Sequence, residues 1–167
     1  MKKFPNNIRV GIGQDSHKFS KKLKPLIIGG IKLNKIGGFE ANSDGDVILH
    51  SLCNALSSAI GGNSIGTWSD DMLYKKKIRD SKKYVEVVLK SIHGNKYVIS
   101  NLSISIEAKK PRFSLSQINK IKISLSKILK ISVKQVGITI SSGDGMTEFG
   151  KGKGIMVFCS VLLIKNG

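Results

Sequence analysis

An α+β domain, with a mixed sheet and helices packed on one face of it, is the fold class that this 167-residue chain predicts. Three observations predict it. Apolar residues alternate with period two in several short stretches, the mark of half-buried strands. Longer stretches place apolar residues at helical spacing instead. The resulting order is strands, helix, helix, strand, helix, strand, strand, which lacks the strict alternation of a doubly wound sheet. Apolar content of 40% suffices for one core, and neither a repeat nor a linker divides the chain, so residues 1–167 are expected to form a single domain.

In chain order, Val10 and Ile12 open the alternation of a first strand that runs toward His17. Pro25 to Gly30 and Ile31 to Leu33 read as two short strands joined at the Gly29-Gly30 turn. Asn42-Ser-Asp-Gly-Asp46 is a turn of capping residues, and it feeds a helix over Val47 to Ile60 that Gly61-Gly62 ends. Asn63 to Arg79 is polar and weakly periodic, which predicts a mobile loop. Ser81 is the expected cap of a second helix through Ile92, terminated at His93-Gly94-Asn95. Tyr97 to Ala108 is a strand, and Ser114 or Ser116 caps a third helix with Ile118, Ile121, Leu125, Ile128 and Leu129 on one face. Val136, Ile138 and Ile140 form the next strand, Gly143 to Gly154 a glycine-rich loop, and Ile155 to Ile164 the closing strand.

Composition narrows the function. No apolar run is long enough to span a bilayer. Met1 to Asn7 is basic but has no apolar segment after it, so a secretory signal is not expected. Cys53 and Cys159 lie far apart without metal-ligand spacing, which suggests buried free thiols in a reducing, cytoplasmic setting. A plastid-type organelle would fit as well if a transit peptide preceded this numbering. Lys+Arg total 28 against 11 Asp+Glu, a formal charge of +17. A nucleic-acid binder has such a balance. Here, however, the cations are nearly all scattered lysines without interleaved aromatics, and Arg9, Arg79 and Arg112 are the only arginines. That pattern favours solvated lysine faces over a base-reading surface, although the same field attracts an anionic substrate.

The candidate chemistry begins with Asp15 and His17, two apart and therefore on one face of a strand. His50, early on the first helix, joins them if that helix packs beside the strand. One carboxylate and two imidazoles leave a coordination position open, as in catalytic zinc sites; non-haem iron uses the same set. His93 reads as a surface or capping residue at a helix end. Asp46 suits an N-cap, with a substrate hydroxyl or a metal-bound histidine as its alternative partner. The 143–154 loop is rich in backbone donors for phosphate but fails the Walker A spacing. Glu107 to Phe113 carries three cations that could hold a phosphate.

Gly11-x-Gly13-x-Asp15-x-His17, Ser43-Asp-Gly-Asp-Val-x-x-x-His50, Ile65-Gly66, Glu107-Ala-x-x-Pro111 and Gly150-x-Gly152-x-Gly154 together resemble the 2-C-methyl-D-erythritol 2,4-cyclodiphosphate synthase family. The Ser-Asp-Gly-Asp-to-His segment is the specific one. The resemblance implies a homotrimer with active sites between subunits and no nucleic-acid or membrane partner. The implied reaction converts 4-diphosphocytidyl-2-C-methyl-D-erythritol 2-phosphate to the cyclic diphosphate with release of CMP. It implies zinc or another divalent ion on Asp15, His17 and His50, and magnesium or manganese near Asp144 on the diphosphate. It assigns Asn42 and Ser142 to catalysis. Ser43, Asp46, Ile65, Gly66, Asp71 and Lys151 go to the substrate. Ala108, Pro111, Arg112, Phe113 and Ser141 go to the nucleotide, from the neighbouring subunit.

The chain also departs from that pattern. Asn42 stands where many members have histidine, Asn54 and Asp144 where aspartate and glutamate are frequent, and Ser142 where threonine is frequent. Trp68-Ser-Asp-Asp-Met-Leu73 replaces a Phe-Pro-Asp-Thr-Asp-Pro loop, and Glu148 an aromatic. The expected consequences fall on rate and on the lid over the substrate rather than on metal binding.

Overall fold

The computed structural model describes residues 7–166. Met1 to Asn6, the basic start on which the secretory-signal reading rests, lies outside them, as does Gly167.

Four strands form a mixed sheet in the order β1-β6-β4-β5: β1 is Ile8–Lys18, β4 Tyr97–Glu107, β5 Val136–Ser141 and β6 Gly154–Lys165. β6 runs antiparallel to both β1 and β4, and β4 runs parallel to β5. The parallel pair needs a crossover, which α4 (Leu115–Leu129) supplies. β2 (Pro25–Ile28) and β3 (Ile31–Gly37) form a separate hairpin turned by Gly29 and Gly30, both with positive φ. α1 (Val47–Ala59) packs on β1 and β6, α3 (Ser81–Gly94) on α1 and β4, and α4 on β5.

All three helices cover one face. Leu102, Ile104 and Ile106 of β4 and Val157, Cys159, Val161 and Leu163 of β6 alternate into that core. Cys53 joins Cys159 there, and both are buried free thiols. The other face of the sheet is bare: Ile8, Val10 and Ile12 of β1 are each more than 60% exposed, beside Phe158 and Ile164 of β6. The strand edges follow the expected alternation closely, because a one-residue slip would turn every side chain to the wrong face.

Two expectations are corrected. Residues 63–79 are not a featureless loop. Gly66–Asp70 is a short helix, α2, that continues into a π-helical turn at Asp71–Lys75. Trp68, Met72 and Ile78 pack against the core from this segment, and a two-turn helix is too short to display a clear period. The cap of α3 is Asp80 rather than Ser81: its side chain accepts from the Lys82 N–H, and Ser81 is the first helical residue. Ser114, as expected, caps α4, through a reciprocal capping box with Gln117.

Candidate metal centre and nucleotide pocket

Gly11 and Gly13 face α1, and the absence of their side chains sets the distance between helix and strand. A Cβ at Gly13 would collide with the Ser51 carbonyl oxygen and the Ala55 nitrogen, and one at Gly11 with the Ala55 carbonyl oxygen. The strand therefore lies directly on the helix backbone. His50 on α1 is thereby brought beside Asp15 and His17, which share the helix-facing side of β1.

The three side chains converge. Asp15 Oδ2 lies 3.2 Å from His17 Nε2 and 3.2 Å from His50 Nδ1, and the two nitrogens are 3.4 Å apart. The side chains are 13–24% exposed, partly sheltered but reachable from solvent. Burial alone would raise the Asp15 carboxyl, but the hydrogen bonds and charges of His17 and His50 outweigh it and bring its pKa down to about 2. Burial would lower His50, but the neighbouring Asp15, with Asp46 and Asp44, holds it above the ordinary imidazole value. Among the described residues, these three form the one group of His, Cys, Asp or Glu that could hold a metal ion.

The donor triangle suits such an ion. Tetrahedral coordination with bonds of about 2.0–2.1 Å has ligand–ligand edges of about 3.3 Å. An octahedron with the same bond lengths would draw them to about 2.9 Å. The observed 3.2–3.4 Å edges match the tetrahedron.

Asp46 is the N-cap that its place in the turn suggests. It is fully buried, and its two oxygens accept from the backbone N–H groups of Gly29, Gly30, Ile48 and Leu49. Burial raises its pKa, opposed by the Gly30, Leu49 and Gly29 donors. It caps α1 and fastens the β2–β3 hairpin to it, a contact worth about 1 kcal/mol or more. Ser43 does lie at the cluster, its Oγ 3.4 Å from His50 Nε2.

Asn42 is exposed and donates to the Tyr74 hydroxyl at 3.0 Å, so the altered 66–75 segment reaches the residue that replaces histidine. Trp68 stacks edge-on against Tyr84, and Tyr84 lies against His50. The Ile65 N–H is held by Asn54 Oδ1 at 2.8 Å, so this donor is engaged within the chain. Asn54 Nδ2 in turn donates to the Gln14 carbonyl, tying the start of α2 to β1. Gly66 opens α2 without contacts around its missing side chain, and Asp71 is exposed and pairs with Lys75.

At the other edge of the sheet, a cavity of about 490 Å3 is lined by Ala108, Pro111, Arg112 and Phe113, with Ser142 and Asp144 from the glycine-rich loop. Sequence elements 30 residues apart thus meet around one pocket: the β4–β5 pairing brings them together, closed by the Ala108 N–H to Ser141 carbonyl bond. Ser142 Oγ donates to Asp144, which adopts positive φ. Ser141 and Lys151 do not line the cavity; Lys151 pairs with Glu148 instead. A Cβ at Gly150 would meet the Gly143 backbone and one at Gly154 the His17 carbonyl, so both glycines permit close backbone packing, and Gly150 also lines the cavity. His93 is exposed in the last turn of α3.

Three side chains near the cluster had no site role in the sequence reading: Asp44, present only as part of the Ser-Asp-Gly-Asp signature, Ser81, read as a helix cap, and Tyr84. Ser81 Oγ lies 2.8 Å from His50 Nε2 and donates a short hydrogen bond to Asp44. Only the packing of α3 on α1 unites them.

Comparison with known proteins agrees with this arrangement. The YgbB family profile matches residues 8–164. The 2-C-methyl-D-erythritol 2,4-cyclodiphosphate synthase of Chlamydia muridarum is 42% identical over 159 residues, covering 94% of this chain and 88% of that protein. The synthase of the same name from Chlamydia abortus is 40% identical over 159 residues, with 94% and 89% covered. Among solved structures, the CDP complex of IspF from Plasmodium falciparum superposes with a TM-score of 0.81 at 30% identity, covering 98% of this chain and all of that one. The chain belongs to the YgbB family, and the match extends through both the Asp15–His17–His50 cluster and the pocket built from the 108–113 and 142–145 segments.

Proposed function

We propose that this chain is a 2-C-methyl-D-erythritol 2,4-cyclodiphosphate synthase that converts 4-diphosphocytidyl-2-C-methyl-D-erythritol 2-phosphate to 2-C-methyl-D-erythritol 2,4-cyclodiphosphate with release of CMP. The 2-phosphate attacks the β-phosphorus and the bond to the CMP phosphate breaks. The observation that carries this reading is the Asp15–His17–His50 triangle with its tetrahedral edges. Asp15, His17 and His50 would hold a divalent ion, zinc being one that suits a tetrahedral site of this donor set, and it would supply Lewis acidity toward the β-phosphate.

The chain's own residues position the reactants. The Pro111 and Phe113 walls take the apolar faces of the cytidine, and Arg112 offers a charged fork to a phosphate. Ser142 donates a hydroxyl to the diphosphate. Asp144 suits magnesium or manganese, which binds through one or two carboxylates plus substrate phosphates. Asn42, Ser43, Gly66 and Asp71 face the methylerythritol half, with Tyr74 supporting Asn42. Lys151 adds positive charge at the loop. Phosphoryl transfer of this kind needs positioning and charge neutralisation more than covalent help.

The active assembly is a homotrimer. β1 and β5 are the two edges of the sheet, three strand spacings or roughly 14 Å apart. A neighbouring copy can set its nucleotide pocket against this chain's metal cluster. The bare sheet face supports the same assembly: covering Ile8, Val10 and Ile12 contributes about 1.5–3 kcal/mol each. The two buried thiols fit a reducing cytoplasm.

The test is CMP release from the purified protein, with and without a chelator, with the second product identified by mass. Chelator-sensitive CMP together with the cyclic diphosphate supports the reading. A zinc-loaded trimer that releases no CMP sinks it in favour of a nucleotide-binding protein without turnover.

A further inference from the structure

The Asp44–Ser81 pair behind His50 bears on how the metal cluster is prepared. Ser81 is fully buried, and its hydroxyl carries a single proton. That proton goes to Asp44, whose other oxygen accepts the Ser81 N–H at 3.0 Å. A carboxylate only accepts, so the hydroxyl's lone pairs face His50 Nε2, 2.8 Å away. Nε2 must therefore carry hydrogen. Two contacts compete, and both are longer: Ser43 Oγ lies 3.4 Å from Nε2, and Asp15 Oδ2, which would favour a proton on the other nitrogen, lies 3.2 Å from Nδ1. Asp44 is itself fixed, because its N–H donates to the Arg79 carbonyl at the entrance to α3.

We infer that Asp44 and Ser81 form a positioning relay that fixes His50 in its Nε2–H tautomer and thereby presents the bare Nδ1 lone pair beside Asp15 and His17. The idea builds on the proposed metal centre and adds to it: Ser81 and Asp44 touch neither ion nor substrate, and act through His50 alone. It also gives the Ser43-Asp-Gly-Asp46 turn a division of labour. Its second aspartate caps α1, and its first orients the ligand one turn later through a residue of another helix. Without the relay, His50 would sample both neutral tautomers, and the Nδ1–H form would turn a donor toward the Asp15 carboxylate and block coordination.

The test uses the full chain labelled with 15N-histidine, stripped of metal and held above the imidazole titration range. Long-range 1H–15N correlation separates the two neutral tautomers, and the only histidines are His17, His50 and His93. His50 is expected as Nε2–H in the unmodified protein. In Ser81→Ala it is expected to move toward Nδ1–H, and zinc affinity, read by competition with a chromophoric chelator, to fall about 10- to 100-fold. Asp80, not Ser81, caps α3, so thermal melting should report a folded variant. His50 found as Nδ1–H in the unmodified, metal-free chain overturns the relay without any substitution. Unchanged zinc affinity in Ser81→Ala, alongside its loss in His50→Ala, overturns it too. Zinc binding untouched by His50→Ala instead overturns the metal centre itself.

Discussion

The metal cluster and the nucleotide pocket sit at the same end of the sheet but are built differently. The cluster grows out of a close-packed junction, where two glycines let β1 lie on the backbone of α1. Its three donor atoms lie within 3.4 Å of one another and are partly sheltered. The pocket is assembled from connections, the 108–113 segment and the 142–145 turn, and several of its residues, Arg112, Ser142 and Asp144 among them, face solvent. The difference teaches where preorganisation is stored. A metal needs donor atoms fixed to tenths of an ångström, which a strand and a helix provide. A nucleotide and a second subunit can complete the other half at binding.

The largest expected effect comes from breaking the cluster. His50→Ala should abolish tight zinc binding and lower turnover by about a thousandfold, the several kcal/mol that Lewis-acid stabilisation provides. CMP affinity should hardly change, because the pocket lies at the other edge. Parallel loss of both, by calorimetric titration with zinc and with CMP, would erase the distinction between the two regions.

Gly13→Ala attacks the same region through its packing. Its methyl would meet the backbone of Ser51 and Ala55, which cannot rotate away. A destabilisation of about 3 kcal/mol is expected in urea unfolding, at the upper end for overpacking. Zinc affinity should fall with it, since His50 is carried away from Asp15. A variant of normal stability would show that the glycine is not what sets the helix–strand distance.

Arg112→Ala sharpens the comparison from the other side. Losing one charge-assisted contact should cost about 1.5–3 kcal/mol of CMP binding, roughly a tenfold or larger loss, with no change in zinc affinity or melting temperature. Arg112 is exposed, and among the described residues no acidic side chain forms an ion pair with it that its removal would orphan. A fall in zinc affinity would mean that the two halves are coupled within one chain.

The same contrast explains what the sequence could show. Asp15, His17 and His50 were legible because strand and helix periodicity fix which residues share a face, and one helix packed on one strand suffices to unite them. The 108–113 segment and the 142–145 turn were marked by resemblance and line one pocket, whereas Lys151 and Ser141, marked with them, are not among its lining residues, since loop side chains follow no period. Asp46 was legible as a cap from its place in the turn and was given to the substrate by resemblance; it caps α1, while Asp44 of the same turn accepts from Ser81. Ser81 could not be seen at all: it is 31 residues from His50, on a helix whose approach to α1 is a tertiary fact. The helical 66–75 segment was hidden by its shortness and by its polar outer side.

The smallest expected effect concerns the segment that lies over the cluster, through the Asn42–Tyr74 hydrogen bond. Asn42 adjoins Ser43 at the cluster, whereas Tyr74 belongs to the π-helical turn over it, and both are exposed. An exposed neutral hydrogen bond contributes about 0.5–1.5 kcal/mol at most. Tyr74→Phe removes the acceptor and keeps the ring. If the bond only holds the segment over the substrate, KM should rise about two- to tenfold with kcat unchanged, because that interaction is uniform between ground and transition states. A fall in kcat at constant KM would instead assign the phenol to the charge that develops on the phosphates, where this chain has an amide in place of the more frequent imidazole. Zinc affinity should be unaffected in both cases, which separates this segment from the rigid cluster beneath it.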